Sequence, residues 1–257
     1  MRQRKIIPGV DPKLLIKDAA KLMPDASRRG FLRGAASLGA LTFLTGCDII
    51  DGDAAESALR KISAFNDGAQ GLLFSRTKLA PTYPESAITK PFPFNAYYDE
   101  DEAPEVNGKT YKLEVAGLVE NKKSWTLDEL YALPEVSQIT RHICVEGWSA
   151  IGSWQGTPLS EFLKRIGADT RAKYVWFRCA EGYSNTIDMP TALHPQTQMT
   201  FKYANQILPR AYGFPMKIRI PTKLGFKNPK HVMAIYVTNK DLGGYWEDRG
   251  YNWFSGS

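Results

Sequence analysis

The chain has 257 residues, 43% of them hydrophobic and 12% aromatic, with 33 Lys or Arg against 27 Asp or Glu and three cysteines. That composition excludes collagen-like, low-complexity and disulfide-framework proteins, and the length suffices for one large domain or two small ones. The formal charge of +6 raises nucleic acid or anionic membrane as partners, but residues 1–46 hold nine Lys or Arg and three Asp, the whole of the excess, so no nucleic-acid-binding patch is implied.

Residues 1–46 read as an export signal. Ser27-Arg28-Arg29-Gly30-Phe31-Leu32-Arg33 is a twin-arginine pattern, and the uncharged run 34–46 behind it is too short to span a bilayer. This predicts transport by the twin-arginine machinery, a route associated with folded and often cofactor-loaded cargo. Leu44-Thr45-Gly46-Cys47 has the form of a lipobox, which predicts a lipid anchor on Cys47 and a periplasmic product attached to the membrane.

Residues 47–108 are expected to hold an N-terminal helix and an extended, wrapping loop. Ala55, Leu59, Ile62 and Phe65 recur at helical spacing over 54–74, predicting a helix that lies with its apolar side on the body. Pro81, Pro84, Pro91, Pro93, Pro104 and the acidic run 99–102 exclude regular helix or central strand over 76–108. Residues 109–257 carry the remainder of a single α+β domain, the mature domain being 47–257. Strands are predicted at 111–116, 137–144, 173–179, 216–220 and 232–238. Thr126-Leu127-Asp128-Glu129 has the spacing of a capping box opening a short helix. Thr157 as N-cap, Pro158 at the first helical position and Gly167 past the end bracket another.

His142, His194 and His231 are too scattered for a two-histidine metal motif, and the chain has no haem-attachment motif, P-loop, dinucleotide fingerprint or nucleophile elbow. With too few cysteines for an iron–sulfur cluster as well, no haem, flavin or iron–sulfur centre is expected in this chain. Cys144 stands out at the end of a predicted strand in Arg141-His142-Ile143-Cys144-Val145-Glu146-Gly147-Trp148-Ser149. A nearby arginine and the ring of Trp148 favour the thiolate, the form that acts as nucleophile or metal ligand. The competing reading is structural: with Cys47 acylated, Cys144 and Cys179 are left to form a disulfide, and the chain is a lipid-anchored binding domain.

The segment Arg141-x-x-Cys144-Val145-Glu146-x-Trp148-Ser149, followed by Gly156-x-Pro158-Leu159, resembles the molybdopterin-dependent oxidoreductases of the sulfite oxidase superfamily, within it the periplasmic protein-methionine-sulfoxide reductase catalytic subunits. The resemblance covers roughly residues 90–254. It implies a sulfite-oxidase-like α+β fold of mixed sheets with short helices, a molybdenum–molybdopterin cofactor, and Cys144 as the single protein ligand to the metal. A soft thiolate suits a metal that changes oxidation state. Arg141, His142 and Glu146 are the implied tuning or substrate-contacting groups around it.

Asn95-Ala96-Tyr97-Tyr98-Asp99 is similar to the family's cofactor segment, which makes Asn95, Tyr98 and Asp99 implied pterin contacts. Pro221-x-x-x-Gly225-Phe226-Lys227-Asn228-Pro229-Lys230 is similar to the basic loop that holds the terminal phosphate, which implicates Asn228, Pro229 and Lys230. The chain departs from the reductases at three pocket positions: Cys179 stands for a Thr, Tyr212 for an Asn and Lys217 for an Arg, a cation that neutralises phosphate without a bidentate fork. The aromatic tail 243–254, with Trp148 and Trp154, is implied to wall the site. The reaction implied is two-electron oxygen-atom transfer, by reduction of an S-oxide or related oxide, with sulfite oxidation as the alternative. Electrons would be exchanged with a separate partner, such as a membrane haem b subunit.

Overall fold

The computed structural model describes residues 52–257; the twin-arginine pattern, the apolar run behind it and the lipobox ending at Cys47 lie outside the described residues. The chain divides into two compact units, Met1–Ala58 and Leu59–Ser257. Of the first, only the opening turns of helix α1 (Gly52–Leu73) are described. The second holds the rest of α1 and everything after it.

Beyond α1 the five prolines between residues 76 and 108 leave room only for two single helical turns, Glu85–Ala87 and Glu100–Glu102. The elements that follow are β1 (Lys112–Gly117), β2 (Trp125–Thr126), α2 (Leu127–Tyr131), β3 (Val136–Ile143), β4 (Ser149–Pro158), α3 (Leu159–Arg165) and β5 (Tyr174–Cys179). They continue with β6 (Ser184–Asp188), α4 (Met189–Ala192), β7 (Gln198–Tyr203), β8 (Gln206–Ile207), β9 (Lys217–Arg219) and β10 (Val232–Thr238). One sheet has the order β2-β1-β10-β5-β6, with β1 and β10 parallel and its other pairs antiparallel. The other runs β3-β4-β7-β8, with β9 also paired to β7. Two sheets with short helices are the α+β architecture the sequence implied.

Local chemistry explains most of these boundaries. At the start of α2 the Thr126 hydroxyl accepts from the Glu129 amide at 3.3 Å while the Glu129 carboxylate accepts from the Thr126 amide at 2.8 Å, the reciprocal cap predicted from the sequence. α3 begins one residue later than expected. Its N-cap is Pro158, without a side-chain cap, because β4 runs through Thr157, which pairs with Met199 of β7. β4 escaped the strand reading because Gly152, Ser153, Trp154, Gln155, Gly156 and Thr157 are all buried, so polar and apolar residues do not alternate. Gly156 is required there: a Cβ would lie 1.9 Å from the Met199 carbonyl oxygen.

The main core is built from Leu113 and Val115 of β1, Phe162 and Leu163 of α3, Phe177 of β5 and Ile235 of β10; a smaller one joins Phe92, Ala150, Trp154 and Leu208. α1 departs from expectation. Leu59, Ile62 and Phe65 do not pack on the body but stand exposed, because Asp67 and Gln70 bind the tail near Asn252 and Phe254 and fix the rotation of the helix.

Candidate active site

Strand alternation decides what β3 offers to its two sides: Thr140 and His142 are buried and Arg141 is exposed. The strand ends in a tight turn in which the Cys144 amide donates to the Trp148 carbonyl at 2.9 Å and the Gly147 amide donates to the Cys144 carbonyl at 3.2 Å. Gly147 sits at φ +92°, a conformation that favours glycine. Cys144 is left 8% exposed. The Glu146 carboxylate accepts the Trp148 indole N–H at 2.9 Å and lies 3.7 Å from Cys144 Sγ, so the turn locks acid and thiol together.

These contacts correct two expectations. The guanidinium of Arg141 lies 5.3 Å from the ring of Tyr83, outside the cleft at Cys144, and does not favour the thiolate. Burial instead raises the pKa of the Cys144 thiol, and Glu146 raises it further against the pull of nearby backbone amides. Nor are Cys144 and Cys179 joined; both are free thiols.

Cys144 opens into a cleft of about 130 Å³ that is partly open to solvent. Asn95, Tyr97 and Tyr98 enter from the long loop, Cys144 and Glu146 from the β3–β4 turn, and Glu181 and Tyr183 from the β5–β6 turn. Gly225, Asn228, Pro229 and Lys230 come from the segment before β10, and Trp246 and Tyr251 from the tail. The fold therefore gathers Asn95, Tyr98, Cys144, Glu146, Asn228, Pro229 and Lys230 from three places in the sequence.

The other candidates lie off the cleft surface. Asp99 is exposed at the start of a helical turn, where its amide donates to the Glu102 carboxylate at 3.3 Å. Tyr212 packs 5.0 Å from the ring of Tyr203 and donates its hydroxyl to the Phe92 carbonyl at 2.9 Å. Cys179 is buried in the main core, its pKa pushed well up by desolvation. Trp154 is also core, while Trp148 lies 5.7 Å from the ring of His142.

Behind the cleft is a group of buried positive charges. β9 turns Lys217 and Arg219, 2% and 0% exposed, onto the ring of Trp154 at 5.0 and 5.8 Å. Arg219 donates to Asn228 Oδ1 at 2.8 Å and to the Arg141 carbonyl at 2.5 Å, leaving Nε without a partner. Lys230 donates to the Ala211 carbonyl at 2.8 Å and lies 4.3 Å over Phe94. Burial brings its pKa down to about 8, and that of Lys217 goes well below the ordinary value through burial and the charges of Lys230 and Arg219. The Asn95 side-chain nitrogen lies 3.2 Å from His142 Nε2, and His142 Nδ1 is a buried atom without a partner. Burial, with Lys217, Arg219 and Lys230, holds His142 neutral.

No carboxylate forms a salt bridge with Lys217, Arg219 or Lys230 among the described residues. The acid facing Lys230 is Glu181, which desolvation raises to about 7. Buried cations left this way are costly until an anion arrives.

Sequence reasoning passed over Arg219 and Glu181, and named Gly225 only within the motif of the basic loop. Lys217 and Arg219 alternate with Met216, Ile218 and Ile220, and two cations on one side of an otherwise apolar strand are a legible signal. Gly225 lets its loop approach: a Cβ there would lie 2.6 Å from His142 Nε2. The tail is held by a buried ion pair between Lys227 and Glu247, with the Asn185 amide donating to the same carboxylate at 2.9 Å, and by Tyr245 stacked on Tyr97 at 4.5 Å.

The profile described as "Oxidoreductase molybdopterin binding domain" matches residues 100–246. The chain is 60% identical over 241 residues, 94% of its length and 92% of the relative's, to a provisionally named protein-methionine-sulfoxide reductase subunit YedZ1 of Azospira oryzae. It is 33% identical over 152 residues to the protein-methionine-sulfoxide reductase catalytic subunit MsrP of Ralstonia nicotianae, a match covering 53% of this chain and 46% of that one. Among solved structures, the sulfane dehydrogenase SoxCD of Paracoccus pantotrophus shares the fold with a TM-score of 0.51 and 19% identity, over 55% of this chain and 41% of that one.

Proposed function

The chain belongs to the family of oxidoreductases with a molybdopterin-binding domain, and from that premise we propose that it is an exported enzyme reducing an S-oxide or related oxide by two-electron oxygen-atom transfer. The observation that carries the reading is a single buried thiol sharing a cleft with Lys230, with the buried Lys217 and Arg219 behind it and none of the three in a salt bridge among the described residues.

The residues fit the cofactor. No group of three His, Cys, Asp or Glu able to hold a metal occurs among the described residues, so a metal at Cys144 has to bring its other ligands with it, as molybdopterin does through its dithiolene sulfurs. An organic phosphate supplies the anion that Lys217, Arg219 and Lys230 lack. The unpartnered His142 Nδ1 and Tyr98 hydroxyl are polar atoms left over for a heterocycle.

In this reading Cys144 holds the metal; Asn95, Tyr98, Asn228, Pro229 and Lys230 hold the pterin and its phosphate, with Lys217 and Arg219 supporting the charge from behind. The bound group supplies two-electron exchange and oxygen-atom transfer. Glu146, braced by Trp148, positions the Cys144 sulfur, and Tyr97, Trp246 and Tyr251 shield the cleft from water. Reducing an S-oxide to sulfide and water takes up two electrons and two protons, and Glu181 is able to hold a proton there at neutral pH. Arg141, Asp99, Cys179 and Tyr212 act from outside the cleft surface.

The names of the relatives make protein-bound methionine sulfoxide the first S-oxide to try. The leader supports twin-arginine export to the periplasm with a lipid anchor on Cys47, and a membrane haem b subunit is the electron donor we propose. The test is a panel of S-oxides with a reduced dye, run beside sulfite with an electron acceptor. Dye oxidation with S-oxides is expected; turnover of sulfite alone would replace the reading by its alternative, sulfite oxidation.

A further inference from the structure

α1 turns its polar side to the protein and its apolar side away. The Asp67 carboxylate accepts the Phe254 amide at 2.7 Å, the Gln70 side chain donates to Asn252 Oδ1 at 3.3 Å and accepts from the Gly256 amide at 2.9 Å, and just past the helix Phe74 meets Phe254 edge-on. Turned away from Asp67, Ile62, Phe65, Leu72 and Leu73 are 50, 74, 86 and 83% exposed, while Leu59, about three turns before Gln70 on the same face, is 65% exposed. At about 100° per residue Ile62, Phe65, Leu72 and Leu73 form one continuous stripe, with Lys61 at one edge and Asn66 at the other.

This is an apolar face whose direction is fixed by hydrogen bonds on the other side of the same helix. The chain that precedes it indicates what covers it. The lipobox cysteine, Cys47, lies five residues before Gly52, so an acyl group there keeps the start of α1 within about 17 Å of the bilayer by the reach of an extended chain. A single acyl chain holds a protein only marginally, and a second acyl chain or an apolar helix face makes the attachment firm. No described helix is long and apolar enough to cross a membrane, which leaves an apolar stripe of this kind to lie along the surface.

We propose that the Ile62, Phe65, Leu72 and Leu73 stripe of α1 lies in the headgroup boundary of a phospholipid bilayer, as a second attachment beside the anchor on Cys47. The inference rests on the export and lipid-anchor reading above. It adds an orientation: the Asp67 and Gln70 side of α1, and the tail bound to it, face away from the lipid.

The mature holoenzyme offers a clean probe, because Cys144 and Cys179 are buried and an acylated Cys47 cannot react with a thiol label. Nitroxide is attached in Ile62→Cys, on the stripe, and in Ala64→Cys, off it, and each protein is reconstituted into vesicles of phosphatidylethanolamine with a minority of phosphatidylglycerol. The ratio of collision with oxygen to collision with a water-soluble nickel chelate is expected to rise about tenfold or more at position 62 and to change less than about twofold at position 64. Equal aqueous exposure at both positions overturns the proposal. So does shielding of position 62 from both collision partners that grows with protein concentration, which assigns the stripe to a second copy, or that needs a membrane protein in the vesicles, which assigns it to a protein partner. Mass spectrometry of the mature N-terminus separates the anchor from the stripe. If Cys47 carries no lipid, it is first blocked with an unlabelled thiol reagent and the labelled proteins are mixed with the same vesicles. Insertion at position 62 then sustains the proposal without the anchor, and protein that stays in the supernatant ends it.

Discussion

The ammonium of Lys217 lies 5.0 Å from the ring centroid of Trp154, at a position 2% exposed and without a hydrogen bond or carboxylate among the described residues. A desolvated cation–π contact gives back about 2 kcal/mol, less than the several kcal/mol that burying an ammonium costs. The residue is therefore a burden to the empty protein that a bound phosphate turns to use. Its folded pKa is lowered, so the folded state binds protons less readily than the unfolded chain, and the penalty is present at neutral pH and disappears toward the unfolded value of 10.5. Lys217→Met is expected to make the apoprotein at least as stable as wild type at pH 7, with the difference shrinking by pH 10, while bound pterin falls about tenfold for the lost charged contact. Chemical denaturation at the two pH values and pterin fluorescence of the released cofactor check both halves.

Glu181 should behave in the opposite sense with pH. Burial raises its folded pKa from 4.5 to about 7, so ionising it costs the folded state stability that is intact below about 4.5 and lost by about pH 7. Glu181→Gln removes that cost. The variant is expected to match wild type near pH 4.5 and to exceed it by about 1–3 kcal/mol at pH 8, after allowance for partial exposure. Urea denaturation of both apoproteins across that range would show the curves separating as pH rises; parallel curves contradict the assignment.

Gly225→Ala tests the close approach of the cofactor loop to β3. Its Cβ would lie 2.6 Å from His142 Nε2 and 3.4 Å from Asn95 Nδ2, so the loop or the ring has to move. A loss of about 1–3 kcal/mol is expected from overpacking, together with weaker pterin retention. Denaturation midpoints and pterin content measure the two effects.

The tail depends on Glu247, which is 5% exposed in its side chain and serves both Lys227 and Asn185. Glu247→Ala leaves a buried ammonium without its counter-charge, and a loss of about 3–5 kcal/mol is expected. Lys227→Met in the same chain should recover much of it, because an apolar pair does not carry the desolvation cost. Thermal melts of the single and double variants distinguish a lost charge partner from simple loss of packing.

Much of the architecture could be read from local pattern. Thr126 and Glu129 announced their helix through a reciprocal cap, β1, β3, β5, β9 and β10 through short apolar or alternating runs, and the 76–108 connection through prolines that forbid anything regular. β4 stayed hidden because a strand buried on both sides between β3 and β7 need not alternate. α1 had the right periodicity, but periodicity names an apolar side without saying which way it points. At the site, Asn95, Cys144, Asn228 and Lys230 were legible through spacing and resemblance. The outward turn of Arg141 and the inward turn of His142 are consequences of pairing with β4, and the acid at Glu181 acquires its raised pKa only when a turn that reads as solvated is buried by the fold, against the lowering pull of Lys230.

The central claim is that Cys144 is the one protein ligand to a molybdenum–molybdopterin group in this cleft. It is tested most directly on protein folded in a molybdopterin-producing host, by metal analysis combined with the visible absorption of wild type and Cys144→Ser. The account predicts about one molybdenum per wild-type chain and a thiolate-to-metal absorption band that the serine variant lacks. Wild-type protein without molybdenum, or a serine variant that keeps both metal and band unchanged, would contradict it.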